Sequence, residues 1–261
     1  MSPLPISVTI ITLNEERNIS RCIQSVRGWV NEIIVVDSGS TDHTCTLAKN
    51  LGAKVFENAF QGYGQQKNYA QSLTQNDWVL NLDADECVSP ELALEIQSLF
   101  SAGIPASSGY QIPRLSYYLG RWIKHGGWYP NRLVRLYNKK VSSWSEPEVH
   151  EACHVKGPVS VLNRDILHWP FSDIREQIET NMRFSKLGAN ALIQKGGKPS
   201  LLKLIIKPVG KFIETYFIKR GFKDGLPGFI ISINAAHSMF LKYATLFELK
   251  YSHQIQMKDV P

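Results

Sequence analysis

The sequence predicts an α/β protein: a mostly parallel sheet with helices on both faces, followed by a helical, basic C-terminal extension. Three observations carry this prediction. Short apolar runs alternate with segments of helical spacing through the first hundred residues. The runs are continuously apolar, as strands buried on both faces are. From residue 195 onward lysines recur among apolar residues at helical spacing.

Each element follows from local pattern. Val8–Leu13 is a β-branched apolar run, NEERN supplies a turn and an acidic helix start, and Ile19, Cys22, Ile23 and Val26 recur at helical spacing. EIIVVD (32–37) is the second strand, SGSTD (38–42) a turn with capping residues, and Leu47, Ala48 and Leu51 lie on a helix that Gly52 ends. Lys54–Phe56 is a third strand, Gly64–Leu73 a third helix and Trp78–Leu82 a fourth strand. The expected organisation is a catalytic domain over 1–170, with a ligand-binding half (1–100) and a second half (101–170), and then a helical region over 171–261.

A chain of 261 residues with 43% apolar side chains can bury a full core, which excludes a disordered chain. Its net charge of +6 hides a polarity: residues 1–100 carry 6 basic and 12 acidic side chains, and residues 101–261 carry 23 and 11. A phosphate-rich ligand or an anionic surface suits the second part. Cys22, Cys45, Cys87 and Cys153 show no C-x-x-C spacing, and MSPLPISVTIIT lacks the pattern of a signal peptide, so a cytosolic protein with reduced thiols is expected. The longest uncharged run, Gly225–Leu241, is interrupted by Pro227, Gly228, Asn234 and His237. It falls short of the ~20 apolar residues of a spanning helix.

The chemistry concentrates where strands end. WVLNLDADE (78–86) places Asp83, Asp85 and Glu86 directly after an apolar strand. Acids at such a site are costly unless paired or bound to a metal. In parallel sheets ligands bind beyond the carboxyl ends of the strands, and Asn14–Glu16, Asp37 and Asp83/Asp85 all fall on that rim. Asp42 reads instead as part of a turn and helix start. An Asp-x-Asp after a strand also resembles the aspartate-nucleophile phosphotransferases, but there the motif normally follows the first strand and continues to Thr or Val.

VTIITLNEERNI (8–19), VVDSGSTD (35–42), QQKNYA (65–70) and LNLDADE (80–86), in this order, resemble the family 2 glycosyltransferases of the GT-A fold. GRWIKHGGWYPNRLVRLYN (120–138) and EPEVHE (146–151) resemble the subgroup that adds sugars to the inner core of bacterial lipopolysaccharide. The resemblance implies a Rossmann-like GT-A domain using a UDP-sugar and Mg²⁺ or Mn²⁺. It implies Asp85 on the metal, Asp83 beside the ribose and metal shell, Asp37 at the uracil ring, and Thr12 and Glu15 flanking the nucleoside. Lys67 matches a basic position near the nucleotide, and an exposed helix lysine is its alternative. Because several GT-A enzymes complete the metal shell with a late histidine, His168 is a third candidate ligand, against a buried structural histidine.

A metal neutralises charge on a diphosphate leaving group, and hard oxygen ligands suit Mg²⁺ or Mn²⁺. The acceptor hydroxyl needs a base, and EPEVHE offers Glu146, Glu148, His150 and Glu151. The family motif ends in His-Glu, which favours Glu151, with Glu148 second. Arg132 and Arg135 suit a diphosphate or an acceptor phosphate, or an exposed strand face. Trp122, Trp128 and Tyr129 suit an acceptor sugar or core packing. Glu86 either supports the metal indirectly or caps the helix starting near Ser89-Pro90.

Residues 195–223 carry eight basic side chains against one acid, Glu214. Lys203, Lys207 and Lys211 form a stripe beside abundant apolar residues, and Pro208 is expected to kink the helix. An amphipathic element on an anionic membrane surface is expected, against a helix packed on the catalytic domain with a solvated lysine face. No nucleic-acid motif accompanies the charge. The leading expectation is a cytoplasmic transferase, peripheral on the inner membrane, moving a sugar, glucose foremost, from a UDP-sugar to a lipid-linked lipopolysaccharide-core acceptor. Another polysaccharide or protein acceptor is the alternative, and a degenerate GT-A scaffold is an alternative of another class.

Overall fold

The structure is a computed structural model that describes residues 2–101, 103–145 and 151–255. Strands β1 (Leu4–Thr12), β2 (Val30–Asp37), β3 (Lys54–Glu57) and β4 (Trp78–Asp83) alternate with helices α1 (Ile19–Val26), α2 (Thr44–Asn50) and α3 (Tyr63–Ser72). β5 (Glu86–Val88) leads into α4 (Pro90–Ser101), and β6 (Gly109–Tyr118), β7 (Arg121–Ile123), β8 (Asn131–Asn138) and β9 (Ser142–Trp144) follow. β10 (Cys153–Val155), β11 (Val159–Val161) and β12 (Ile166–His168) precede helices α5 (Ile174–Gln194), α6 (Leu201–Ile213) and α7 (Gly225–Ile255). The first strand starts four residues earlier than its apolar run suggests, because Leu4 pairs with Val30 of β2.

The main sheet runs β3-β2-β1-β4-β8-β6-β12-β5. Its first four strands are parallel, and β8 joins β4, and β6 joins β8, in antiparallel sense. The parallel part thus lies within the first hundred residues; beyond it β8 runs opposite to β4, and β6, opposite to β8, runs in the direction of β4 again. Compact units form from Met1–Leu115 with Pro130–Trp169, and from Ser116–Tyr129 with Pro170–Pro261.

Strand alternation decides which side each residue serves. Ile6, Val8 and Ile10 of β1 and Trp78, Leu80 and Leu82 of β4 bury against Ile19, Cys22, Ile23 and Val26 of α1 and Leu92 and Ile96 of α4. On the other face, Ile34 and Val36 of β2 pack with Ala70 of α3. Val79, Asn81 and Asp83 occupy the intervening positions of β4, so Asp83 emerges on the side opposite the Leu80 and Leu82 core. Removing Leu80 or Leu82 to Ala, both fully buried, would cost about 2–5 kcal/mol.

In the second unit, β6 turns through Leu119 and Gly120, both at positive φ, and its end pairs with β7. Such a two-residue turn matches the twist of a hairpin. Asp173 caps α5 by accepting from the Glu176 amide at 2.8 Å, and Glu176 accepts from the Ser172 amide at 2.7 Å, a reciprocal N-terminal lock. Helices α5 and α6 pack on α7. The α6 helix runs through Pro208 to Ile213, where a π-helical segment, Glu214–Ile218, follows. Tyr118 and Asn234 both donate to the Gln177 side-chain oxygen in the buried interior. Asp224 accepts from the amides of Lys124 (3.2 Å) and His125 (2.7 Å), tying that loop to the start of α7. Among the described residues no helix is long and apolar enough to cross a membrane.

Candidate active site

The parallel register brings the acidic strand ends together: Thr12 aligns with Asp37, and Ile11 with Asp83. The loops beyond β1 and β2 are stitched to each other. Asn14, at φ 54°, accepts from the Thr41 amide at 2.9 Å, and its own amide donates to Ser40 at 2.8 Å. The Glu15 amide donates to the Thr44 hydroxyl at 2.8 Å, and the Glu15 carboxylate accepts from Asn18 at 2.8 Å. Asp37 is buried and accepts from the Gly39 and Ser40 amides at 2.8 and 2.7 Å and from the Ser40 hydroxyl at 2.5 Å. Asp42 accepts from the Thr44 amide and hydroxyl at 3.0 and 2.5 Å, as a turn and helix-start residue does. The buried Thr12 hydroxyl oxygen has no hydrogen-bond partner among the described residues.

Around Asp83 three acids and three cations interlock. Arg135 donates to Asp83 at 2.5 Å, to Glu86 at 2.7 Å and to Asn81 at 2.8 Å. Lys67 stands 3.1 Å from Asp83 and 2.9 Å from Glu151, with its ammonium 4.6 Å from the Trp144 ring centre. Arg114 reaches Glu86 at 3.1 Å. Lys67 is therefore buried within an ion network, and the exposed helix lysine is excluded. Burial alone would raise the Asp83 carboxyl, but Arg135, then Lys67 and Arg114, outweigh it and hold it well below the usual carboxylate range. Burial would lower the Arg135 guanidinium, and Asp83 and Glu86 push it up instead.

Glu86 is fully buried, accepts from the Asp83 amide at 3.0 Å and opens β5. It does not cap α4: the Ser89 hydroxyl accepts from the Leu92 amide at 3.1 Å. Arg132 and Arg135 part company. Arg132 is exposed and Arg135 is buried. Arg135 also sits where the β6–β8 register slips, since Tyr110 pairs with Leu136 and Gln111 with Val134. It is the extra residue of a bulge, a device that re-aims a side chain.

Asp85 lies in the turn between β4 and β5, a quarter exposed, and its carboxylate is 3.3 Å from Nε2 of the largely buried His168. β12 brings this histidine in by pairing antiparallel with β5, His168 opposite Glu86. The Trp169 amide donates to the Asp85 carbonyl at 3.0 Å, and Arg21 stacks 3.5 Å from the Trp169 ring centre. No group of three or more His, Cys, Asp or Glu side chains suited to a metal occurs among the described residues. Two converging donors do fit a divalent cation of the Mg²⁺ or Mn²⁺ kind, which takes one or two protein ligands and completes its shell from phosphate and water.

Glu148, Glu146 and His150 lie outside the described residues. In the second unit Trp128 packs against Tyr118 and Phe171, and Trp122 against Tyr117. Pattern reading did not single out Arg114, Trp144 or Arg21. A lone Arg114 within the apolar strand GYQIPRLSYY was the available signal, whereas Arg21 and Trp144 gave none.

The description of glycosyl transferase family 2 matches residues 7–156. An uncharacterized glycosyltransferase of Rickettsia typhi is 37% identical over 255 residues, 94% of this chain and 87% of the relative. The lipopolysaccharide core biosynthesis glycosyltransferase LpsC of Rhizobium meliloti is 30% identical over 252 residues, 94% of this chain and 93% of that one. Among solved structures, Staphylococcus aureus TarS 1–349 in complex with UDP-GlcNAc superposes with a TM-score of 0.47 at 14% identity, over 96% of this chain and 92% of that chain. A glucosyl-3-phosphoglycerate synthase from Mycobacterium tuberculosis, with Mn²⁺, UDP and its product, gives a TM-score of 0.34 at 30% identity over 44% of each chain. The ordered strand-end motifs, the parallel half-sheet that aligns them and the match over more than half of the sequence agree: the chain belongs to glycosyl transferase family 2 and has its GT-A fold.

Proposed function

We propose that this glycosyltransferase is an inverting, metal-assisted hexosyltransferase that moves a sugar, glucose foremost, from a UDP-sugar to a lipid-linked lipopolysaccharide-core acceptor. The observation that carries the reading is the pairing of Asp85 with His168 beside the cation-bound Asp83, at the exit of β4. The name of LpsC, similar over nearly the whole chain, supports the acceptor class. Four free cysteines accord with work on the cytoplasmic side of the inner membrane.

In this reading the uridine lies over the β1 and β2 loops. Asp37, held rigid by its own turn, reads the base, and the unpartnered Thr12 hydroxyl and Glu15 flank the nucleoside. Asp85 and His168 would hold the divalent cation, which when bound would offset the charge of the diphosphate. Asp83 turns toward Arg135 and Lys67 and keeps both cations fixed beside the leaving group, so little reorganisation is needed as charge develops there. Arg132, exposed on β8, is available to a phosphate. The acceptor oxygen forms its bond to the anomeric carbon as the bond to phosphate breaks, and its proton passes to Glu151, with Glu148 as second candidate. Lys67 positions Glu151 at 2.9 Å.

Transfer assays across a panel of nucleotide sugars and truncated lipopolysaccharide-core acceptors, with Mn²⁺ and with Asp85→Asn as control, test the reading. Transfer from a UDP-hexose with inversion, lost in Asp85→Asn, is expected. A trapped covalent glycosyl-enzyme, or phosphatase activity without sugar transfer, would overturn it.

A further inference from the structure

We infer that α6, on its support α7, is a docking face for an anionic lipid bilayer. At 3.6 residues per turn the side chains of α6 fall into three sectors. Leu204, Pro208 and Phe212 are partly buried toward α7, where the Phe212 ring meets Phe229 at 6.0 Å. Leu202, Ile205, Ile206, Val209 and Ile213 form a second sector and are exposed, Leu202 by 67% and Ile205 by 65%. Lys203, Lys207 and Lys211 form the third, along the edge of the apolar one.

An exposed apolar sector of this size is uncommon on a protein that stays in water. The neighbouring charge selects its occupant. Of the eight basic residues in 195–223, Lys211 and Lys219 pair with Glu214, the sole acid of the segment. Lys203 and Lys207 are exposed and have no ion-pair partner among the described residues. An apolar face bordered by unpaired lysines is the arrangement that inserts to the acyl boundary while its cations meet anionic headgroups. Phe217, 56% exposed, lengthens the apolar face beyond the helix end. Since no helix among the described residues can span a bilayer, the attachment would lie in the interfacial plane.

The inference is independent of the donor reading, because its test uses no nucleotide sugar. The full chain is sedimented with vesicles of phosphatidylethanolamine and phosphatidylglycerol, and with phosphatidylcholine vesicles, across a salt series. The wild type should bind the anionic vesicles and leave them as salt rises. Lys203→Gln/Lys207→Gln should bind roughly 30-fold more weakly, at about 5-fold for each lysine lost. Leu202→Ser/Ile206→Ser/Val209→Ser should lose binding. All three positions are exposed, and melting curves report whether folding is kept. Wild-type protein that ignores anionic vesicles, or variants that bind as the wild type does, would overturn the inference. So would self-association removed by the serine substitutions without any lipid binding, since the face would then belong to a second copy of the chain.

Discussion

Two groups of charges in this chain are arranged on opposite principles. At the exit of β4, three acids and three cations close on one another, with Arg135, Lys67 and Glu86 buried. Along α6 the cations stand beside exposed apolar surface, and of its three lysines Lys211 alone has an ion-pair partner, Glu214, among the described residues. Balanced, desolvated charge costs much to assemble and fixes atoms in place. Unbalanced, solvated charge fixes nothing and acts over a Debye length, about 8 Å at physiological salt. The first arrangement suits positioning and the second suits attraction to a surface.

The comparison breaks most sharply at Glu151. Glu151→Gln should lower kcat by about 10²–10⁴-fold if it accepts the acceptor proton. A parallel Glu148→Gln series identifies the base by which variant loses the basic-side pH dependence of kcat. Asp85→Asn should lower transfer by about 10²–10³-fold, the usual effect of removing one group that stabilises developing charge. Its Mn²⁺ dependence should shift to higher concentrations, read by titrating the metal at fixed donor.

Stability separates the regions next. Arg135→Met leaves Asp83 and Glu86 facing each other and should cost about 3–5 kcal/mol, seen as a lowered denaturation midpoint. Lys207→Ala on α6 should change stability by less than about 0.5 kcal/mol. Equal losses in the two variants would show that the ion network contributes nothing beyond an exposed lysine.

Acid sharpens the same contrast more gently. Asp83 has a folded-state pKa depressed below its unfolded value of about 3.9, so its contribution is complete above that value. It is lost as pH falls through the folded pKa. The wild type should therefore lose stability below about pH 4, and Asp83→Asn should flatten that limb. Urea melts from pH 5 downward measure both slopes.

Much of this was legible in the sequence, for identifiable reasons. β1, β2 and β4 announce themselves because strands covered on both faces must be apolar throughout, and Asp37, Asp83 and Asp85 are conspicuous as acids ending such runs. The parallel order then places them on one rim without further information. The pairing of β8 with β4, and of β6 with β8, joins residues some twenty to sixty positions apart, and no local pattern encodes it. Hence Arg135 could not be distinguished from a surface residue. Arg114 and Trp144 were overlooked for the same reason, since their partners lie at Glu86 and Lys67. His168 was visible only as a histidine at the end of an apolar run; its distance to Asp85 depends on β12 returning beside β5.

The bulge at Arg135 separates scaffold from chemistry in a way that substitutions cannot. Gln111 pairs with Val134 and Tyr110 with Leu136, so the ladder between β6 and β8 would close without any residue at 135. The alternation along β8 shifts by one at this point, so Val134 and Leu136 keep to the opposite faces that Gln111 and Tyr110 set. In the language of reading frames, Arg135 is a one-letter insertion that the sheet tolerates and the ion network requires. Length variation in this strand, rather than residue identity alone, would then mark relatives that had abandoned the arrangement around Asp83.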